Sequence, residues 1–144
     1  MADLDLVRRA AGDHLAVVAT SRPDGSVQAS LVSAGLFDDP TSGQACVAFV
    51  AIGGAHKLAL MRRSGRATAV FRDGFRWAAV EGPARIAGPD DPAPGLTDDL
   101  PALLRAIFVA AGGSHEDWDE FDRVMAEERR AAVLITPERI TGNG

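Results

Sequence analysis

The chain has 144 residues, of which 47% are apolar and 24% are charged, and its formal net charge is −5 at pH 7. This length predicts one domain over residues 1–144, and the composition is that of a protein that buries a core, which excludes wholesale disorder. The negative charge disfavours a broad electrostatic contact with nucleic acid or with an anionic membrane.

The sequence also argues against disulfide-bonded, zinc-binding and membrane-spanning proteins. Cys46 is the single cysteine, which excludes an intramolecular disulfide and a multi-cysteine zinc site. No apolar run approaches the roughly 20 residues that span a bilayer. The N-terminus lacks the basic flank and apolar core of a secretory signal. We therefore expect a cytoplasmic protein without a membrane or nucleic-acid partner.

The first part of the chain predicts a short helix and a hairpin. Asp3 can cap a helix over residues 3–11. An apolar run over residues 15–20 predicts a buried strand, and residues 26–32 predict a second one. Pro23-Asp24-Gly25 between them is typical of a turn, because proline presets its backbone angle and glycine tolerates a positive one.

The middle of the chain predicts a third strand, a helix and a second hairpin. Residues 44–51 are rich in small and β-branched side chains, and the helix that follows ends near Arg63, before Gly65. Asp73-Gly74 lies between two strand-like runs, at residues 66–72 and 75–86. Such a pair between two strands is a strong hairpin signal.

The last third predicts two helices and two closing strands. Helical spacing of apolar residues over 100–108 ends at Gly112-Gly113. Ser114 then precedes acidic residues of the kind that favour the first turn of a helix, so we place the start of a fourth helix there. Its buried stripe is predicted to be Trp118, Phe121 and Met125. Short strands follow at residues 131–135 and 139–141.

These elements predict a mainly β, α+β fold. The strands are joined mostly by hairpins, so the sheet is mainly antiparallel, and no strand–helix–strand series repeats as a parallel doubly wound fold requires. A split or closed barrel of six to seven antiparallel strands, with four short flanking helices, fits this order.

The strongest local candidate for a binding site is the segment Gly53-Gly54-Ala55-His56-Lys57, between a strand and a helix. Unpaired N–H groups at a helix N-terminus favour an anion, the glycines allow close approach, and Lys57, the only lysine of the chain, adds a positive charge that suits phosphate. A plain turn with a solvated lysine remains the alternative. The glycine spacing matches neither a dinucleotide fingerprint nor a P-loop.

Other residues have both a functional and a structural interpretation. Arg62, Arg63 and Arg66 could extend a basic strip towards an anionic tail, or simply complement the dipole at a helix end. Trp77 could stack on a flat ligand or pack in a core or interface. The three histidines lack metal-ligand spacing, so no metal site is expected. No nucleophile–base pair or carboxylate pair stands out, so any chemistry would belong to a bound cofactor.

The order of these segments resembles the pyridoxamine-phosphate-oxidase-like split β-barrel family over roughly residues 5–143. The opening hairpin with Pro23-Asp24-Gly25, the segment His56-Lys57-Leu58 with its helix, the strand Arg76-Trp77-Ala78-Ala79-Val80-Glu81-Gly82 and the closing strands with Thr136-Pro137-Glu138 carry the likeness. The Ala/Arg bias and the C-terminal sequence resemble the deazaflavin branch, whose members use coenzyme F-420 where relatives use FMN.

The resemblance implies a homodimer with two cofactor sites at the subunit interface. It places Ser30, Leu31 and Val32 beside the ring system of the cofactor. By the same resemblance, Trp77 would reach the cofactor site from the neighbouring subunit. The residues that it places at the phosphate end are Val50, Ala51, Ala55, His56 and Lys57. His56 stands where the family commonly has arginine and Ala51 where it commonly has a hydroxyl residue, and each change removes a phosphate contact.

Three functions therefore stay open. The first is a coenzyme F-420-dependent oxidoreductase that transfers a hydride to a small unsaturated or quinone-like acceptor. No catalytic residue is assigned, and His56 or solvent could supply a proton. The second is an FMN-binding oxidoreductase on the same barrel, which would not need the basic strip. The third is a non-catalytic flavin- or deazaflavin-binding carrier. Ala51 and His56 keep this alternative open, because each removes a phosphate contact that the family commonly makes.

Overall fold

The structure is a computed structural model that describes residues 3–143. Its helices and strands follow the predicted order closely. In chain order they are α1 (Leu4–Ala10), β1 (Leu15–Ser21), β2 (Val27–Asp38), β3 (Ala45–Ala51), α2 (His56–Ser64), β4 (Arg66–Asp73), β5 (Arg76–Ala87), α3 (Leu100–Ala110), α4 (Trp118–Glu127), β6 (Ala131–Ile135) and β7 (Arg139–Gly142).

Six antiparallel strands close into a barrel in the order β4-β1-β2-β3-β6-β5, and pairing between β4 and β5 completes the ring. The two long strands, β2 and β5, make the corners. The first half of β2 pairs with β1 and its second half pairs with β3. Likewise, the beginning of β5 pairs with β4 and β7, whereas its end pairs with β6. The predicted antiparallel split barrel of six to seven strands is confirmed.

Strand alternation places one apolar set inside the barrel. In β1 the side chains of Ala16 and Val18 are buried, and they pack with Phe49 and Phe71 in the barrel core. Leu15 and Val17 lie on the opposite face and remain 42% and 43% exposed. The prediction of a buried strand was therefore wrong for half of its side chains, because an apolar run does not show which of its faces another element covers.

A second apolar layer forms where α3 and α4 cover the outer face of β3 and β6. Ile107 of α3 and Phe121 of α4 pack there against Ala48 and Leu134. The helix α3 lies directly on the backbone of β2, since a Cβ built at Gly35 would lie 1.9 Å from the carbonyl oxygen of Ala110. Only glycine permits this approach.

Three predicted boundaries were wrong. The second strand, β2, continues to Asp38, where the sequence predicted an end at residue 32. The helix α4 begins at Trp118 and is capped by Asp117, whose side chain accepts a hydrogen bond from the N–H of Glu120. Ser114 therefore lies outside it, because the later carboxylate is the one in reach of the free N–H groups. In the second hairpin Asp73 pairs with Arg76, so Gly74 and Phe75 form the turn.

Candidate functional site

A cleft of about 570 Å³ opens between the barrel, the start of α2 and the layer formed by α3 and α4. Its walls are mostly apolar, and four charged or titratable side chains interrupt them. The barrel contributes Leu31, Val32, Ser33, Val50, Ala51 and Ile52, the helical side contributes Ala55, Ile107, Phe108, Ala111, Gly112, Gly113, Phe121 and Met125, and the polar groups are Asp13, His14, Lys57 and Arg130.

Most of the residues that the resemblance placed at a cofactor come together in this cleft. Those that line it are Leu31, Val32, Val50, Ala51, Ala55 and Lys57. The other three, Ser30, His56 and Trp77, are not in its lining. His56 is exposed at the start of α2, and Trp77 lies on the outer side of β5 with 39% of its surface exposed.

The start of α2 forms one end of the cleft and lacks a side-chain cap. Ala55 occupies the N-cap position and makes no capping hydrogen bond, and the first turn contains no acidic residue. Serine, threonine, asparagine or aspartate normally accepts from the free N–H groups at this position. The helix end therefore keeps backbone donors and a positive dipole end for an anion.

Lys57 and Arg130 place two positive charges in this cleft. Burial of the Lys57 ammonium, followed by the nearby Arg130 guanidinium, lowers the pKa of Lys57. Within residues 3–143, Glu128 is the carboxylate that contacts Arg130, at 3.0 Å from Nε, and no carboxylate lies within ion-pair distance of Lys57. Sequence reasoning did not assign Arg130 to the site, because its position before β6 gives no local sign that it faces α2.

The predicted basic strip does not form part of the cleft. Arg62 donates from Nε and Nη2 to both carboxylate oxygens of Asp91, at 2.8 and 2.7 Å. Arg66 pairs with Glu138 at 2.7 Å. Arg63 is exposed and also lies outside the lining. These carboxylates come from distant parts of the chain, so the strip is partly neutralised by contacts that local sequence does not show.

Ser30 lies on β2, next to the cleft residues Leu31 and Val32. Its hydroxyl oxygen is buried and has no hydrogen-bond partner in the described part of the chain. A buried polar atom without a partner is costly, so a group that hydrogen-bonds to Ser30 would be stabilised there.

The cleft opens beside an apolar surface that no element of the described chain covers. We call this surface the outer sheet face and define it by the exposed residues Leu15, Val17, Val27, Leu31 and Trp77. The strand registers place their side chains on one side of the sheet, where Val17 lies between Leu31 and Val70. Leu31 belongs to both the face and the cleft.

The single cysteine lies in the core, away from the cleft. Cys46 is buried, and its thiol donates to the carbonyl of Phe37 at 3.0 Å. Desolvation raises the pKa of Cys46 to about 12, so this is an inert core thiol. Among residues 3–143, no group of three His, Cys, Asp or Glu side chains is arranged to hold a metal ion. No helix in that range is long and apolar enough to cross a membrane.

Comparison with solved structures establishes the fold. No protein-family model matches the chain. The chain is similar to a conserved hypothetical protein from Mycobacterium tuberculosis, with 18% identity, a TM-score of 0.69, and coverage of 99% of this chain and 84% of that one. It is also similar to a pyridoxamine 5'-phosphate oxidase-related, FMN-binding protein from Nostoc punctiforme, with 13% identity, a TM-score of 0.67, and 95% and 78% coverage.

A third similar structure is an F-420 reductase, with 14% identity, a TM-score of 0.62, and coverage of 90% of each chain. The fold is the split β-barrel of pyridoxamine-phosphate-oxidase-like proteins. The solved structures to which the chain is similar therefore include an FMN-binding protein and an F-420 reductase.

Proposed function

We propose that the chain is an oxidoreductase that binds coenzyme F-420 in the cleft and transfers a hydride to a small unsaturated or quinone-like acceptor. The observation that carries the proposal is the pair of cations, Lys57 and Arg130, at one end of a mostly apolar cleft beside an uncapped helix. A ligand with an anionic handle and a flat apolar body matches this arrangement. Support also comes from the fold, which the chain shares with an F-420 reductase.

The residues that line the cleft fit a flavin-type cofactor at two points. The N–H groups of the first turn of α2 and the Lys57 ammonium would hold its phosphate. The side chains of Leu31, Val32 and Phe108 would enclose its ring system, since they line the apolar part of the cleft.

The protein's own contribution would be binding, orientation and exclusion of water. When bound, the deazaflavin supplies the hydride, so no protein nucleophile is needed. Lys57 and Arg130 would fix one end of the cofactor by charge, and the two cations repel each other less once an anion lies between them. The apolar walls would keep solvent from the reacting face and leave space for the acceptor.

We also propose that the active protein is a homodimer, formed through the outer sheet face. A contiguous apolar surface of this kind on a small protein marks an interaction site. Leu31 connects the face with the cleft, so a second copy seated there would border the cofactor. Trp77, which does not line the cleft of its own chain, would then contact the cofactor bound by the partner.

FMN binding is the second candidate, and one observation favours it. Arg62 and Arg66 lie outside the cleft lining and are paired with Asp91 and Glu138, so the cleft offers no basic strip to the oligoglutamate tail of coenzyme F-420. The anchors at Lys57 and Arg130 would hold the phosphate of either cofactor. A carrier that binds the cofactor without catalysis would use the same anchors.

Fluorescence titration of the purified protein with coenzyme F-420 and with FMN tests the proposal. We expect saturable binding of coenzyme F-420, weaker binding of FMN, and hydride transfer to a quinone acceptor by the loaded protein. Tighter binding of FMN would favour the second candidate, and binding without turnover would favour a carrier. If the wild-type protein binds neither cofactor, the proposed function is wrong.

A further inference from the structure

We propose that His14 is the proton donor of the cleft, a role that rests on the proposed function. His14 is half-buried and lines the cleft together with Asp13, Lys57 and Arg130. Among these four groups, histidine is the side-chain type that changes charge between about pH 5 and pH 8. Reduction of a quinone or an activated alkene by a hydride also consumes one proton, so a group of this kind is required at the site or in solvent.

Hydrogen bonds from both its backbone and its ring fix the position of His14. Its backbone N–H donates to the carbonyl of Ala11 at 3.0 Å, and its carbonyl accepts from the N–H of Ala34 at 2.7 Å. Its ring Nδ1 lies 3.3 Å from the carbonyl oxygen of Ala34. The two contacts with Ala34 join His14 to β2 through both backbone and ring, close to the cleft residues Val32 and Ser33.

The hydrogen bond to Ala34 also determines which ring nitrogen can exchange a proton. A carbonyl oxygen only accepts hydrogen bonds, so Nδ1 carries a hydrogen in this contact. Nε2 has no hydrogen-bond partner in the described part of the chain. It is therefore the nitrogen that gains a proton when the ring becomes an imidazolium and loses it when the ring acts as an acid.

His14 has a backbone conformation that is unusual for a residue other than glycine. Its φ is +60°, in the left-handed region that residues other than glycine rarely adopt. The loop between α3 and α4 closes over the ring at Gly112, where a Cβ would lie 2.7 Å from His14 Cδ2. Gly112 itself has a φ of +88°. Glycine is therefore favoured at this position for two reasons: it tolerates the positive φ, and it has no Cβ that would contact the His14 ring.

Three charged side chains share the cleft with this ring. Asp13 precedes His14 in the chain, Lys57 comes from α2 and Arg130 precedes β6. Neighbouring β2 offers the Ala34 carbonyl, and the loop at Gly112 continues to His115, Glu116 and Asp117, which are absent from the cleft lining. With a quinone, a hydride from the reduced cofactor and the Nε2 proton of the imidazolium give the hydroquinone. The quinone gains two electrons, the cofactor loses two, and solvent returns the proton to Nε2.

The test compares His14→Asn with the matched control His115→Asn. Asparagine tolerates a positive φ and can still donate to Ala34, but it does not titrate near neutral pH. His115 is exposed near the start of α4 and is absent from the cleft lining. Nitrogen NMR of histidine-labelled protein identifies the His14 ring signals, because they are lost in the variant. The spectrum is then recorded again with coenzyme F-420 or FMN bound.

We expect the bound cofactor to shift the ring signals of His14 and to leave those of His115 unchanged. In single-turnover reduction of menadione, His14→Asn should be at least tenfold slower and should lose the fall in rate at high pH, with a Kd for the cofactor within twofold of wild type. His115→Asn should match wild type in all three.

Ring signals that do not respond to bound cofactor would overturn the proposal, and this readout needs no acceptor. A wild-type rate and pH profile in His14→Asn would overturn it too, as would a large loss of cofactor affinity at unchanged Tm, which would make the ring a binding contact. These outcomes all require cofactor binding by the wild type, so they are distinct from failure of the proposed function.

Discussion

Burial of the Lys57 ammonium and the positive charge of Arg130, which lines the same cleft, together lower the pKa of Lys57. The lowered pKa means that the folded chain disfavours the charged amine relative to the unfolded chain. At any pH below both values, Lys57 is protonated in both states and this cost is fully present. It falls as the pH rises through the folded pKa towards the ordinary value.

Removing the Lys57 charge should therefore stabilise the protein without ligand and impair binding. For Lys57→Met at pH 7 we expect Tm to rise by about 1–3 °C, because a methionine stem fills the same space without the desolvation cost. Cofactor affinity should fall at least tenfold, or about 1.4 kcal/mol. Calorimetry and fluorescence titration measure the two effects.

Arg63→Met is the control for this change, since Arg63 is an exposed cation on the same helix that does not line the cleft. It should leave both Tm and cofactor affinity close to wild type. A Lys57→Met protein with wild-type affinity would contradict the role of Lys57 as an anion anchor.

The part of the site that sequence predicts is the part built from local chain. Ala55 and Lys57 lie at a strand-to-helix junction, which the sequence predicts from an apolar strand followed by two glycines. This junction forms one end of the cleft. Arg130 and His14 were not predicted there, because they reach the cleft through strand pairings and helix packing between distant segments. The pairing of Arg62 with Asp91 escaped prediction for the same reason.

The outer sheet face gives a prediction about assembly. Val17 is 43% exposed and lies at its centre, between Leu31 and Val70 in the strand registers. Val17→Asp should place a charge in the proposed dimer contact, where desolvation makes it costly. We expect the mass in solution to fall from twice the 15.1 kDa of the chain to that of one chain, as measured by light scattering.

The control for the assembly experiment is Val109→Asp, which changes another exposed valine, 53% exposed, on α3. That protein should keep the wild-type mass. A wild-type protein that is monomeric at micromolar concentration, or a Val17→Asp protein that remains dimeric, would contradict dimerisation through this face.

Gly35 fixes how closely α3 lies on the barrel, and α3 supplies Ile107 and Phe108 to the cleft. A Cβ at this position would lie 1.9 Å from the Ala110 carbonyl oxygen, so backbone must move. For Gly35→Ala we expect a loss of about 1–3 kcal/mol in the free energy of unfolding, the range for overpacked cores. Urea denaturation measures it.

Gly12→Ala provides the comparison for Gly35, because the nearest atom to its added Cβ is Asp73 Oδ2 at an ordinary 3.6 Å. Its stability should stay within about 0.5 kcal/mol of wild type. Equal stability of the two variants would show that α3 can move away from β2 at little cost.

The raised pKa of the Cys46 thiol predicts how the stability of the protein changes at alkaline pH. Desolvation, with a smaller contribution from the Asp38 charge, raises its folded pKa to about 12, above the ordinary value of 9.0. The folded chain then binds more protons than the unfolded chain between these values. The stability contributed by the neutral thiol is fully present below pH 9 and is lost as the pH rises towards 12.

Two measurements follow from this sign. At pH 8 the native protein should resist a disulfide-exchange reagent and react only at the rate at which it unfolds, because the thiolate is the nucleophile. Between pH 8 and pH 10 the free energy of unfolding of wild type should fall more steeply than that of Cys46→Ala, which has no thiol to titrate. Rapid labelling of the folded protein at pH 8, or parallel pH dependences in the two proteins, would show that Cys46 is accessible to water.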